Sequence, residues 1–226
     1  MADRPASALD DAVEVMDRLR SPGGCPWDAA QSHRSLAPFL LEEAYEVLDA
    51  IDTGDDAALR DELGDLLMQV LFHARLAEEN ESDPWSIEDV ATGLVEKLRR
   101  RHPHVFGEVT VDGAAQVVVN WEHIKAAERE RSSITDGMPL GLPALALAAK
   151  LLARLEHSGL TVPSPAPGAD NPASVFGVEL LDVVRRAGAA GVDAEQALRE
   201  TVLAYQREIR RAERVDEEPG EPETLP

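Results

Sequence analysis

The chain has 226 residues, 44 % of them hydrophobic and 4 % aromatic, which is enough apolar content for one substantial core or two small ones. A formal net charge of −21 argues against a nucleic-acid polymer as partner, but it leaves room for a small phosphate ligand held through a divalent cation. The single Cys25 excludes an intramolecular disulfide, no apolar run approaches the roughly 18 residues of a membrane span, and MADRPASALD lacks a signal-peptide core, so a cytoplasmic protein without a membrane partner is expected.

Abundant Ala, Leu, Glu and Arg favour helix throughout. Residues 7–20 place Leu9, Val13, Met16 and Leu19 at helical spacing after a Ser7 N-cap. SPGGCPWD, residues 21–28, then breaks the helix with two prolines and two glycines. A second helix is expected from about Ser35 to Asp52, with Gly54 as C-cap, and Asp55 or Asp56 caps a third over Ala57 to Glu79. Ser86 opens a fourth towards Arg101, which His102-Pro103 ends because proline disfavours helical geometry in the residue before it. A fifth covers Ala114 to Arg131. Beyond it DGMPLGLP is a linker, Ala144 to His157 a short helix, and TVPSPAPGADNP a Pro-rich break that reads as disordered or extended. Two helices follow, near Ser174 to Ala189 and Asp193 to Val215, before an acidic, Pro-rich tail over 216–226 with the composition of disorder. No convincing strand is seen.

Two acidic pairs at a spacing of three, Glu43/Glu46 and Glu62/Asp65, raise the question of chemistry. At about 100° per residue, Leu40, Ala44, Val47, Leu48 and Ile51 form the apolar stripe of the second helix. Leu59, Leu63, Leu66, Leu67, Val70 and Ala74 form that of the third. Each acidic pair lies on the same-handed flank of its stripe, so an antiparallel hairpin packed stripe to stripe brings all four carboxylates to one edge. Glu42 and Asp49 face nearly opposite. Four anions on a partly buried edge repel one another unless neutralised, and a hard divalent cation with oxygen ligands would do this. The bland alternative is two amphipathic helices with acidic flanks. A ferritin-like di-iron site expects Glu-x-x-His, and neither helix has it. His73, on the same flank, suits hydrogen bonding better than ligation. On the fourth helix Lys97 and Arg101 share one flank, with Arg100 nearby; they are either a receptor for phosphate beside the metal or basic residues answering the helix dipole.

GCPWDAAQSHRSL, EExxE at 42–46, ELGDLL at 62–67, KLRRRHPHVFG at 97–107 and WEHIKAAER at 121–129, in this order, resemble the MazG family of nucleoside triphosphate pyrophosphohydrolases. The resemblance covers roughly residues 9–130. It implies an all-α fold, a four-helix MazG-type bundle completed by dimerisation, with a smaller helical C-terminal region. It also implies Mg²⁺, with Mn²⁺ as a substitute, on Glu43, Glu46, Glu62 and Asp65, and triphosphate contacts from Lys97 and Arg101, with Arg100 beside them. Glu42 or Glu43 would act as general base. Trp27, Asp28 and Gln31 would lie near base and sugar, although Trp27 suits a core or interface anchor equally. The implied reaction takes an NTP or dNTP to the monophosphate and pyrophosphate.

Organisation follows from the same resemblance: residues 1–131 as the catalytic domain, 132–173 as a linker, and 174–215 as a degenerate second copy. In that copy Gly177-Val178 stands where Gly64-Asp65 stands in the first, and no EExxE precedes it. Metal binding is not expected there; the helices would complete a core or dimerise, or else gate the substrate. Met68, Leu71 and Phe72 lie outside the third helix's stripe, and a helix apolar on more than one face calls for a further partner, which a homodimer would supply. Narrower relatives, a deoxypyrimidine triphosphatase or a phosphoribosyl-ATP pyrophosphohydrolase, and a non-catalytic helical scaffold are the competing readings.

Overall fold

The computed structural model describes residues 7–128, 132–168 and 171–216. Every regular element among these residues is a helix, and the chain divides into two units, Met1–Ala127 and Glu128–Pro226.

The first unit contains α1 (Ala8–Arg20), α2 (Pro26–Ala29), α3 (His33–Thr53), α4 (Asp56–Ala77), α5 (Ile87–Arg101), α6 (Pro103–Phe106) and α7 (Ala114–Ala127). Local chemistry sets most of the boundaries. Ser7 and Ser86 each close a capping box with an aspartate three residues on, Asp10 and Asp89. Asp55 accepts hydrogen bonds from the amides of Ala57 and Ala58, and Gly54 ends α3 in the left-handed conformation that a side chain would disfavour. Two boundaries depart from the sequence reading. SPGGCPWD is not all break: Pro26, at the first helical position where its missing N–H costs nothing, starts the single turn of α2. Helix α3 starts earlier than expected, because Ser32 and Ser35 exchange side-chain hydrogen bonds as a capping box. The expected end of the fifth helix, residues 129–131, lies outside the described residues, as does most of the acidic tail.

Helices α3 and α4 pair as an antiparallel hairpin, and α1 lies against α4. The core of this unit is Met16, Leu36, Leu71 and Phe72, with Ala12, Val13, Leu76 and Ile87 packed around it. Leu71 and Phe72 therefore need no second subunit: α1 and the start of α3 cover them within the chain. Met68, the third residue expected outside the stripe, is exposed, and the apolar surplus extends over part of the expected stripe, where Leu63 and Ile51 are 49 % and 54 % exposed, beside exposed Leu40, Leu48, Leu67 and Val70. Helix α5 is anchored by Ile87, and its residues 90–100 are exposed.

The second unit contains α8 (Ala144–Ser158), α9 (Pro172–Ala189) and α10 (Ala194–Asp216), all three in mutual contact. Val184 and Ala194 are its buried apolar residues. Helix α8, expected as part of a linker, belongs to this packed unit, and Arg154 ties the preceding turn to it by donating to the carbonyls of Ile134 and Asp136. Residues 160–168 are irregular; Arg185 donates to Ser164 Oγ, and the Gly168 amide donates to Ser174 Oγ.

Candidate metal centre

The seam between α3 and α4 is polar over much of its length. On α3, Glu43 lies seven residues after buried Leu36 and seven before buried Ala50, so all three face the same way within the drift of a straight helix. On α4, Glu62, Asp65, Gln69 and His73 recur at spacings of three and four. The antiparallel pairing sets Glu43 against Glu62 and Asp65, and ten residues earlier on α3 it sets His33 against His73. One carboxylate oxygen from each of Glu43, Glu62 and Asp65 lies within 4.8 Å of the others. Among the described residues this is the group of three or more acidic, His or Cys side chains able to share a cation.

Sequence periodicity expected these carboxylates on the flank of an apolar seam; the half-buried Glu43, Glu62 and Asp65 instead occupy the seam itself. Glu46 is exposed and sits at Glu43, hydrogen-bonding to its carboxyl. Glu42 is exposed and adds its charge to the same field.

Crowding raises the affinity of this site for positive charge. Partial desolvation, then the charge of Asp65, then the hydrogen bond and charge of Glu46 push the Glu43 carboxyl above its ordinary 4.5. The Glu62 carboxyl is raised likewise, by desolvation first and then by the charges of Glu46, Asp65 and Asp61. A cation bound among these oxygens would remove the penalty that raises both. All the donors are carboxylate oxygens, which suits a hard ion such as Mg²⁺.

The seam continues away from the carboxylates. Gln69 is only 3 % exposed, and neither its Oε1 nor His73 Nε2 has a hydrogen-bond partner among the described residues. His33 Nδ1 and His73 Nδ1 are 2.8 Å apart with parallel rings, and Trp85 stacks against His33 with 6.3 Å between ring centroids. Burial and the neighbouring His33 hold His73 below its ordinary 6.5. The sequence reading placed His73 on this flank in a hydrogen-bonding role, but it named neither His33 nor Gln69.

The remaining candidates lie on other elements. Trp27 in α2 is 53 % exposed and meets Phe39 edge-on at 5.8 Å between ring centroids. Phe39 is one turn before Glu43 on α3, so this aromatic pair borders the carboxylates. The Asp28 carboxylate has no partner among the described residues. The Gln31 side chain is engaged at both ends, donating to the Trp27 carbonyl at 3.0 Å and accepting from Ser35 Oγ at 2.7 Å. Lys97 and Arg100 are exposed on α5, and the Arg101 guanidinium lies over the Trp121 ring at 5.4 Å. Trp121, which also meets His102 edge-on, was quoted in the sequence only as part of a motif. A lone tryptophan among the aliphatic and polar residues of α7 was the signal available.

The described residues are all-helical, and a cluster of carboxylate oxygens lies between two antiparallel helices, a donor set that suits a hard divalent cation. Comparison with known proteins narrows the class. The MazG nucleotide pyrophosphohydrolase domain matches residues 31–106. The nucleoside triphosphate pyrophosphohydrolase/pyrophosphatase MazG of Thermotoga maritima is 36 % identical over 94 % of this chain and 88 % of its own length. The nucleoside triphosphate pyrophosphohydrolase of Mycobacterium tuberculosis is 44 % identical over 91 % of this chain, and an uncharacterised 26.1 kDa protein of Streptomyces cacaoi is 48 % identical over 93 %. The chain belongs to the MazG family. It spans 85 % of the Streptomyces protein but only 58 % and 60 % of the two mycobacterial enzymes it matches.

Proposed function

We propose that this chain is a divalent-metal-dependent nucleoside triphosphate pyrophosphohydrolase, converting an NTP or dNTP and water into the monophosphate and pyrophosphate. The observation that carries this reading is the convergence of Glu43, Glu62 and Asp65 in the α3–α4 seam. The names of its relatives point the same way.

Glu43, Glu62 and Asp65, with Glu46 beside them, would hold Mg²⁺, with Mn²⁺ as a substitute. When bound, the ion supplies charge neutralisation of phosphate oxygens and lowers the pKa of water. The chain's own residues provide the rest. Lys97, Arg100 and Arg101 offset the charge of the triphosphate, which grows on the pyrophosphate as it leaves. The exposed Trp27 ring and the Asp28 carboxylate face the nucleoside. A carboxylate oxygen of Glu42 or Glu43 takes the proton of the water that attacks the α-phosphorus. The exposed aliphatic face of α3 and α4 is covered in a homodimer. The setting is the cytoplasm, as a control on surplus or damaged nucleotides; no helix among the described residues is long and apolar enough to cross a membrane.

The test is pyrophosphate release from a panel of NTPs and dNTPs, with Mg²⁺ and with EDTA, alongside Glu62→Gln. Metal-dependent release is expected. Loss of a direct ligand should reduce it by more than about 100-fold, the upper end of what losing even an outer-sphere partner costs, with the fold intact because Gln is nearly isosteric. Orthophosphate as product would move the cleavage to another phosphorus. Normal activity in a folded Glu62→Gln protein would remove the metal site from the reaction.

A further inference from the structure

Helix α2 is one turn long, far below the length at which a helix holds itself together, so its orientation must come from tertiary contacts. Two are visible. Gly24 allows the chain to fold back onto the end of α1, where the Cys25 amide donates to the Leu19 carbonyl at 2.7 Å; a Cβ on Gly24 would collide with the carbonyl oxygens of Arg18 and Leu19. The second is Arg20, the last residue of α1. Its side chain is 6 % exposed and its donors go in two directions. Nε and one terminal nitrogen donate to the two Glu79 oxygens at 2.8 and 2.9 Å, while the other terminal nitrogen donates to the Asp28 carbonyl of α2. The guanidinium carbon lies 5.9 Å from the centroid of core Phe72.

We propose that Arg20 is the positioning residue of a nucleoside-facing segment: its bond to Asp28 fixes α2, and with it the Trp27 ring, against the α3 face that leads to Glu43. The proposal rests on the function above. The Arg20–Glu79 pair alone would be a structural ion pair between a buried guanidinium and a half-exposed carboxylate, satisfied without α2. It is the remaining donor, directed at a main-chain carbonyl, that couples the α1–α4 contact to Trp27 and Asp28. A lysine keeps the charge but presents a point ammonium rather than a planar fork, and cannot span both Glu79 oxygens and the Asp28 carbonyl. Gln31 reinforces the same segment from its other end, through the Trp27 carbonyl and Ser35.

The experiment compares KM, kcat and base preference across the nucleotide panel for the wild type, Arg20→Lys, Trp27→Ala and the double variant, with amide exchange of residues 25–31 followed in each. Asp17→Asn is the control: it removes another α1–α4 ion pair, Arg75 to Asp17 at 2.7 Å, without touching α2. Arg20→Lys should raise KM about tenfold with kcat changed less than about threefold, a loss of ground-state binding, and should flatten base preference. The double variant should be no worse than Trp27→Ala, and Asp17→Asn should match the wild type in KM. If Arg20→Lys does not fold, Glu79→Gln, which keeps an acceptor but loses the charge, should give a smaller change in the same direction. Wild-type KM and base preference in folded Arg20→Lys, or additive effects in the double variant, would overturn the proposal. Absence of turnover in the wild type would defeat the proposed function instead, and exchange would then decide on Arg20: unchanged protection in Arg20→Lys overturns it.

Discussion

Both units bury apolar residues, and they differ in what else their helix pairs hold. In the first, the α3–α4 seam holds Glu43, Glu62, Asp65, Gln69 and the His33–His73 pair; in the second, the buried positions are the apolar Val184 and Ala194. Helices α4 and α9 share a glycine with open space around it, Gly64 and Gly177, so packing among the described residues requires neither, and each costs about 1 kcal/mol relative to alanine. The residue after the glycine differs: Asp65 in one, Val178 in the other. A seam of mutually repelling carboxylates and unpartnered polar atoms weakens a fold unless a ligand compensates, whereas an apolar one stabilises it outright. The difference teaches that a bound cation would relieve crowding in the first unit, whereas the buried residues of the second need no ligand.

Perturbing the second unit's core gives the largest separation between the two. Val184→Ala removes a side chain that is 2 % exposed and should cost about 2 kcal/mol, which in a unit of this size lowers its melting transition by on the order of 10 °C. All three tryptophans, Trp27, Trp85 and Trp121, are in the first unit, so their emission follows that unit while far-UV circular dichroism follows both. The variant should shift the dichroism transition, leave tryptophan emission in place, and keep kcat and KM at 25 °C. Loss of turnover would show that the second unit takes part in the site.

Mg²⁺ should act in the converse way. At ten times its Kd it contributes about 1.4 kcal/mol to whatever unit binds it, enough to raise a transition by several degrees. The shift should appear in tryptophan emission and vanish in Glu62→Gln. Its pH dependence follows from the raised carboxyls. Without metal, Glu43 and Glu62 hold protons more tightly folded than unfolded, so the first unit loses stability as pH rises from the ordinary 4.5 through their higher folded values. With Mg²⁺ that loss should disappear, because ionised carboxylates are then what the folded state requires. A Mg²⁺ effect on dichroism that is absent from tryptophan emission would place the cation in the second unit and reverse the comparison.

Much of this architecture was legible in single residues. Ser7, Gly54, Asp55 and Ser86 mark helix ends through the chemistry of their own side chains or the lack of one, and that chemistry acts within three or four residues. The nearness of Glu43, Glu62 and Asp65 was legible in their spacing on the two arms of a short-looped hairpin, but their place in the seam, with Glu46 left exposed beside it, was not. What was not legible depends on distant partners. The aliphatic content of α4 suggested which face it buries, yet α1, some fifty residues earlier, covers Leu71 and Phe72 and leaves Leu63 exposed. The match of His33 to His73 spans 40 residues, and nothing in the local sequence of either announces it. Helix α2 was hidden because proline and glycine read as a break, while Arg20 and Gly24 stabilise a turn that composition alone would not.

The smallest expected effect tests the far end of the polar seam. Two Nδ1 atoms at 2.8 Å can share one proton but cannot both carry one, so the contact tolerates a single imidazolium and fails when the second ring is protonated. His73 is the ring held low, by burial and then by His33. A histidine whose folded pKa is depressed contributes stability that is complete above its unfolded value near 6.5 and is lost as pH falls through the lower folded value. Between pH 7.5 and 5.5 the pair should therefore contribute a downward slope of about 1–3 °C to the tryptophan-monitored transition of the metal-free protein, a fraction of a kcal/mol and opposite in sign to the slope from Glu43 and Glu62. His73→Gln should flatten that slope, because an amide keeps a polar group in the seam without titrating. An unchanged slope in His73→Gln would mean that the pair contributes no pH dependence and that the sensitivity of the first unit comes from its carboxylates alone.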